Sequence, residues 1–257
     1  MVMNRQDDPT PDDSVASKSA NSNNRTGPSR FPLTRAWTRD GFAGAASVDE
    51  TAGYGPDFVD AVGPHVPRRS VLAHMSPTDA CDSTAFPELV LDSDEGIRIY
   101  VSGRREAMSF TLRNVEADEL HFVQDGQVEF VTEVGTIDAQ RGDFVYIPKS
   151  IAYRFAPKGH TMRSLIVASR KRFEFNTPYP VGMINFARDL QYAEITPISE
   201  VGTSNKLILR SWVGEDTVYT LATDPLSMNG HIGGKSPVWK LSLESVQKLV
   251  TLPNGGP

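Results

Sequence analysis

The stretch Thr111–Phe155, TLRNVEADELHFVQDGQVEFVTEVGTIDAQRGDFVYIPKSIAYRF, decides the fold. From Leu120 to Thr132 apolar and polar residues partly alternate around Asp125-Gly126, a pair that supplies the positive φ of a tight turn between two strands. A second strand pair follows, in which Arg141-Gly142-Asp143 turns into FVYIP. Beyond Pro148 a further strand runs from Ala152 to Phe155. Short strands at such regular spacing predict an antiparallel sandwich or barrel.

Outward from this stretch the strand signals continue. They fall at Ile97–Val101, Ser109–Arg113, Leu120–Phe122, Val128–Val131, Asp143–Ile147 and Met162–Ala168, with a second group at Leu207–Val213 and Thr217–Thr220. Ser242 caps LESVQKLV, which reads as a short amphipathic C-terminal helix. From Phe31 to Val90 the segments GFAGAAS, GYGPDF and PHVPRR carry loop and turn chemistry between short apolar runs, and this part is expected to wrap the barrel. Residues 1–30 are rich in Asp, Ser, Asn and Pro and hold almost no large apolar groups. They are expected to form a disordered tail. Residues 31–257 then form a single all-β domain.

At the motif level the stretch resembles a cupin. Glu119, six residues and Gly126 match the end of the first cupin motif, and Gly142, five residues and Pro148 match the start of the second. The resemblance implies an all-β cupin barrel, a double-stranded β-helix or jelly roll. In cupins the first motif carries H-x-H shortly before the Glu and the second a His after the Pro, and these hold a metal. The corresponding residues here are Arg113 and Val115, then Tyr153; Glu119 alone remains.

DELHFVQDGQVEFVTEVG followed by GDFVYIPKSIAYRF is similar to the amino-terminal half of homogentisate 1,2-dioxygenases. DGFAGAAS, VGMINFARDL and DPLSMNGHIGGKSPVWKLSLESV extend that resemblance from about Phe31 to Val250. In that family the iron sits in the carboxy-terminal half, and the chain stops where that half would begin. The resemblance therefore implies the non-metal half of a ring-cleaving dioxygenase, with no cofactor of its own.

Taking the cupin ligand positions as inward fixes the period-two parity: Ser109, Thr111, Arg113 and Val115 on one strand, Glu119, His121 and Val123 on the next, Tyr153 and Phe155 on a third. A slip of one residue would turn every one of them outward. On this parity Arg113 pairs with Glu119 where a metal cation would otherwise sit, either as a plug in an unused barrel or as a receiver for an anionic substrate. Glu119 orients His121 and raises its basicity, giving an acid and base pair, and Tyr153 offers a phenol to an oxyanion or quinone oxygen. Against this stand plainer roles: His121 as a satisfied interior histidine, and Tyr153 as a core aromatic with its hydroxyl bonded. Thr111, Phe155 and Ser109 are the candidate substrate-binding residues. An alternative keeps non-heme iron on Glu119, His121 and one of His65, His74, His160 or His231.

Composition sets the outer limits. Of 257 residues 39% are hydrophobic and 23% charged, enough for one sizeable core. The formal charge of −6 argues against nucleic acid, and the basic runs, such as Arg170-Lys171-Arg172, read as solvated strand ends. One cysteine, Cys81, precludes an intramolecular disulfide. The amino terminus lacks a signal-peptide core and no transmembrane run is seen, so a cytoplasmic location without membrane association is expected.

Three functions follow. The first is an enzyme of the homogentisate dioxygenase lineage, acting on a small aromatic or quinone-like metabolite through Glu119, His121, Arg113 and Tyr153 without the family's iron. The second is a non-metal subunit paired with a separate iron-bearing cupin chain. The third is a non-catalytic, small-molecule-binding or structural cupin. Homo-oligomerisation is expected, since members of the family assemble through this half.

Overall fold

In the computed structural model the described residues are 33–40, 43–51, 59–66, 70–174, 184–195, 204–227 and 231–246. Their contacts divide the chain into two compact units, residues 1–69 and 70–257. The disordered tail expected over 1–30 lies outside the described residues.

The first unit contains an antiparallel hairpin of β1 (Leu33–Asp40) and β2 (Ala43–Thr51), with Trp37 opposite Ser47. The Trp37 indole donates to Asp49 at 2.5 Å. Loop chemistry was the expectation for GFAGAAS, yet AGAAS opens a strand. Its small residues carry no alternation for a pattern to detect.

The second unit is built on eight strands: β4 (Ile97–Ser102), β5 (Thr111–Asn114), β6 (Asp118–Asp125), β7 (Gln127–Thr132), β8 (Gly135–Gln140), β9 (Asp143–Ile147), β10 (Ala152–Pro157) and β11 (Arg163–Ser169). They form two facing sheets, in the order β9-β6-β11-β4 and β5-β10-β7-β8. In this order the chain passes from sheet to sheet as it does in a jelly roll, so the all-β cupin barrel is the fold. The first sheet is extended beyond β4 by β3 (Glu88–Ser93) and beyond β9 by β15 (Trp239–Ser242) and β12 (Leu190–Tyr192). The second is extended beyond β5 by β13 (Lys206–Arg210) and β14 (Thr217–Thr220).

Asp125-Gly126 is the predicted β6–β7 turn. Gly126 has φ +80°, and a Cβ there would lie 2.2 Å from the Thr161 carbonyl oxygen, so only glycine meets both demands. The C-terminal helix is shorter than expected: Ser242 Oγ accepts from Glu244 N at 3.3 Å and caps one 3₁₀ turn, Leu243–Ser245. Residues 247–250 of that expectation lie outside the described residues. A four-residue helix α1, Phe186–Asp189, capped by Asn185, falls in the segment VGMINFARDL.

Alternation fills the barrel. Phe110, Leu112, Val123, Phe130, Val145, Tyr153, Phe155 and Met162 point into one buried cluster, each at 2% exposure or less. Truncating a ring such as Phe130 to Ala would cost about 3–5 kcal/mol. A second layer covers the outer face of β10, where Ala152 packs with Leu207 and Leu226, and Arg154 pairs with Asp224 at 2.5 Å. This layer explains why four successive residues of β10, 152–155, are buried on both faces.

Arg104 is fully buried beside the barrel core. Its guanidinium lies 5.7 Å from the Phe110 and Phe155 rings and donates to the carbonyls of Ser83, at 3.1 Å, and Ala85. Asp79 stands 3.5 Å from Arg104 Nε and also accepts from Ser102 Oγ and Gly103 N. Burial lowers the Arg104 pKa, and Asp79 opposes that fall. Here a buried cation is held by a fully engaged carboxylate, as burial of charge requires.

Candidate functional site

The polar interior is built from β5, β6 and β10. On β6, Glu119 and His121 point inward and are buried to 1% and 0% exposure. On β10, Tyr153 stands opposite Leu112 of β5, and Ala152 opposite Arg113. Directly paired residues share a face. Since Tyr153 and Leu112 face the interior, Arg113 does not.

This corrects the expected parity of β5 by one residue. Arg113 lies outside the barrel, 2.6 Å from Glu133, and the expected Arg113–Glu119 pair is not formed. Val115 is exposed, and Thr111 is buried on the outer face against β13, opposite Leu207. Ser109 is exposed and its hydroxyl donates to the Ser83 carbonyl. Of the predicted site residues, Glu119, His121, Tyr153 and Phe155 come together; Arg113, Thr111 and Ser109 do not join them. Phe110, just before β5, and Leu112 and Asn114 on it are the inward residues, and the slip arose from counting the H-x-H positions directly onto β5.

Both oxygens of Glu119 are engaged. Oε1 accepts from Asn114 Nδ2 at 2.9 Å; Oε2 accepts the Tyr153 hydroxyl in a short hydrogen bond and lies 3.4 Å from His121 Nε2. Asn114 is itself fixed, its Oδ1 accepting from Glu116 N and Ala117 N. Burial pushes the Glu119 pKa up, but the His121 hydrogen bond and charge, the Arg210 charge and the Tyr153 hydroxyl outweigh it and bring the carboxyl from 4.5 to about 2. Tyr153 moves the other way: burial, then the Glu119 charge and hydrogen bond, raise its phenol well above 10. Tyr153 is therefore a neutral donor and Glu119 an ionised acceptor.

The Glu119 carboxylate faces His121 Nε2, so a proton on Nε2 is directed at Glu119 and Nδ1 points away from it. Nδ1 is buried and has no hydrogen-bond partner. The ring sits edge-on to Phe130, Tyr153 and Phe155, with centroids 5.1, 5.5 and 6.0 Å away. An imidazole so placed can take a proton at Nδ1 while the Glu119 carboxylate beside Nε2 stabilises the resulting imidazolium.

Two residues escaped the sequence reading. Asn114 is adjacent to Arg113, and the correct parity would have found it. Arg210 has no local signal: β13 pairs in parallel with β5, bringing Arg210 opposite Asn114. Its guanidinium lies 4.5 Å from the Tyr100 ring and 5.1 Å from Phe86. Among the described residues it makes no ion-pair contact, and its charge acts on Glu119, Tyr100 and Tyr153.

The iron alternative fits poorly. Glu119 and His121 supply two donors, and both Glu119 oxygens already accept hydrogen bonds. Among the described residues no group of three His, Cys, Asp or Glu could hold a metal ion. His160 and His231 are exposed. Three protein ligands are the minimum for a catalytic centre, so no step is derived through iron.

The site and barrel define a cupin-type enzyme or binding domain. No protein-family model matches the chain. A protein of Saccharolobus solfataricus described as a putative dioxygenase is 27% identical over 128 residues, which is 47% of this chain and 32% of that protein. The match thus spans about a third of the relative's length. Among solved structures, a cupin-2 domain protein of Shewanella frigidimarina is 15% identical over 34% of this chain and 83% of its own, with a TM-score of 0.30. The Cnp3 cupin domain of Schizosaccharomyces pombe is 9% identical over 49% and 77%, with a TM-score of 0.34. The nucleoside dehydratase Pac13 of Streptomyces is 10% identical over 42% and 86%, with a TM-score of 0.33. No helix among the described residues is long and apolar enough to cross a membrane.

Proposed function

We propose that the chain is a cupin enzyme of the homogentisate dioxygenase lineage that performs proton transfer on a small aromatic or quinone-like metabolite without an iron of its own. The observation that carries this reading is the buried, unpartnered Nδ1 of His121 beside a carboxylate-fixed Nε2. In this reading His121 Nδ1 is the base, Glu119 holds the imidazole and balances its charge, and Tyr153 donates to a developing oxyanion. The rings of Phe130 and Phe155 suit a flat substrate, and Arg210 suits an acidic one.

The test is solvent exchange, which needs no oxidant. Hydroxyphenylacetates and their quinones are incubated with the protein in deuterium oxide, and loss of carbon-bound protons is followed by proton NMR. Exchange above the buffer rate is expected, falling about 100-fold or more in His121→Phe and Glu119→Gln. Exchange indifferent to both substitutions would remove the pair from the mechanism.

A second reading is favoured by the packing. Glu119, His121, Tyr153, Phe130 and Phe155 are all at 2% exposure or less, and a barrel filled by its own side chains fits a scaffold, a ligand-binding domain or the non-metal partner of an iron-bearing cupin chain. No exchange with any compound, together with stable association with an iron-bearing cupin chain, would favour that partner role. The homo-oligomer and the cytoplasmic location remain expectations attached to either reading.

A further inference from the structure

On the outer face of the seven-stranded sheet lies an open cleft of about 520 Å³, built where β6 begins and where β9 and β11 end. Its wall is aromatic: Tyr146 of β9 and Trp239 of β15 are register partners whose rings stack at 4.9 Å and 23°. Phe173 meets the Tyr146 ring edge-on at 6.2 Å. Lys149, Arg170 and Arg172 also line the cleft. They come from separate places in the sequence, the turn after β9 and the segment after β11.

Charge in the cleft is unbalanced. Among the described residues none of the three cations has an ion-pair partner, although the chain as a whole carries 32 acidic against 26 basic residues. The one carboxylate in the lining, Asp118, is spent. Its Oδ2 accepts the Tyr146 hydroxyl at 2.9 Å and its Oδ1 accepts Lys149 N at 2.9 Å. Burial, then the Asp118 hydrogen bond and charge, raise the Tyr146 phenol, so it adds no negative charge of its own. Three cations around an aromatic wall, with the local carboxylate already satisfied, form the complement of a flat ring carrying an anion. The volume lies within the range of small-molecule sites, roughly 300–1,000 Å³.

We propose that this cleft binds a small aromatic anion, a planar ring bearing a phosphate or carboxylate group, with the ring against Tyr146 and Trp239 and the anion held by Lys149, Arg170 and Arg172. The site lies on the opposite face of β6 from Glu119 and does not rest on the interior chemistry. Asp118 and Glu119 are successive residues that point to opposite faces.

The test is calorimetric titration of the full chain with phenyl phosphate, phenylacetate, benzyl alcohol and inorganic phosphate, repeated on Arg170→Ala/Arg172→Ala and on Lys149→Met. These side chains are exposed, so the variants are expected to keep the fold, checked by circular dichroism. Saturable binding of phenyl phosphate or phenylacetate is expected, about tenfold or more tighter than benzyl alcohol and inorganic phosphate, and weakened about tenfold or more in the double variant. Preference for phenyl phosphate would assign a phosphorylated ligand, and preference for phenylacetate a carboxylate. Absence of binding by both, equal affinity for inorganic phosphate, or binding unchanged in all variants would overturn the proposal.

Discussion

Glu119 titrates well away from its ordinary range. Its folded pKa, about 2, lies below its ordinary 4.5, so its ionised form is favoured by folding. The stabilisation is complete above 4.5 and is lost as the pH falls through the window down to about 2, amounting to about 3 kcal/mol. Urea unfolding of wild type and Glu119→Gln across that window should show the wild-type advantage shrinking with acid; a pH-independent difference would contradict the network of Asn114, Tyr153 and His121. The two arginines proposed for this region, one from sequence and one from structure, are separable in the same experiment. Arg113→Ala should cost at most about 1 kcal/mol, because its Glu133 pair is partly solvated, and should leave the acid transition in place. Arg210→Ala removes a cation that lowers the Glu119 pKa, so the acid transition should move to higher pH. A shift with Arg113→Ala and none with Arg210→Ala would reverse the assignment.

At the scale of elements, two turns hold the barrel in register. Gly126→Ala would place a methyl on the Thr161 carbonyl at positive φ and should destabilise by about 2 kcal/mol or more, read as a lowered urea midpoint. Ser150, in the turn after β9, is the one non-glycine residue with positive φ among the described residues, at 71°. Its N–H donates to the Asn114 carbonyl at 2.7 Å, which fixes the strand end carrying the Glu119 partner. Ser150→Gly should stabilise by about 0.5 kcal/mol and Ser150→Val destabilise by about 1 kcal/mol or more; the reverse order would show that φ is not what limits this turn. These turns also mark what could be read from residues alone. Asp125-Gly126 announces its hairpin by chemistry confined to two positions, and β4, β6, β7, β9 and β11 announce themselves by β-rich runs. The face of β5 is different. Phe110, Thr111, Leu112 and Arg113 are consistent with either parity until Tyr153 is known to stand opposite Leu112, and that pairing spans 41 residues. Arg210 depends on the parallel β13–β5 pairing, which no local pattern encodes.

At the scale of the whole second unit, the jelly roll separates its polar groups into distinct places. Arg104 and Asp79 form a buried pair against the Phe110 and Phe155 rings, Glu119, His121, Tyr153 and Asn114 form a second cluster in the interior, and the cationic cleft lies outside the sheet. The interior cluster answers the question that the cupin motifs raise: what occupies a barrel whose metal ligands are replaced. The Asn114 amide and the Tyr153 hydroxyl donate to Glu119 where a cation would otherwise be drawn, and His121 offers the carboxylate its Nε2 side. Binding iron here would require breaking at least one of these hydrogen bonds and recruiting a third donor, each step costing buried polar interactions of about 1–3 kcal/mol. The expected outcome of elemental analysis after iron loading and removal of loosely held metal is iron well below one atom per chain, with an unchanged urea midpoint. Iron at one atom per chain, lost in His121→Phe, would overturn the donor argument and return the interior to oxygen chemistry. Iron that persists in His121→Phe would place a metal elsewhere and leave the hydrogen-bonded interior as described.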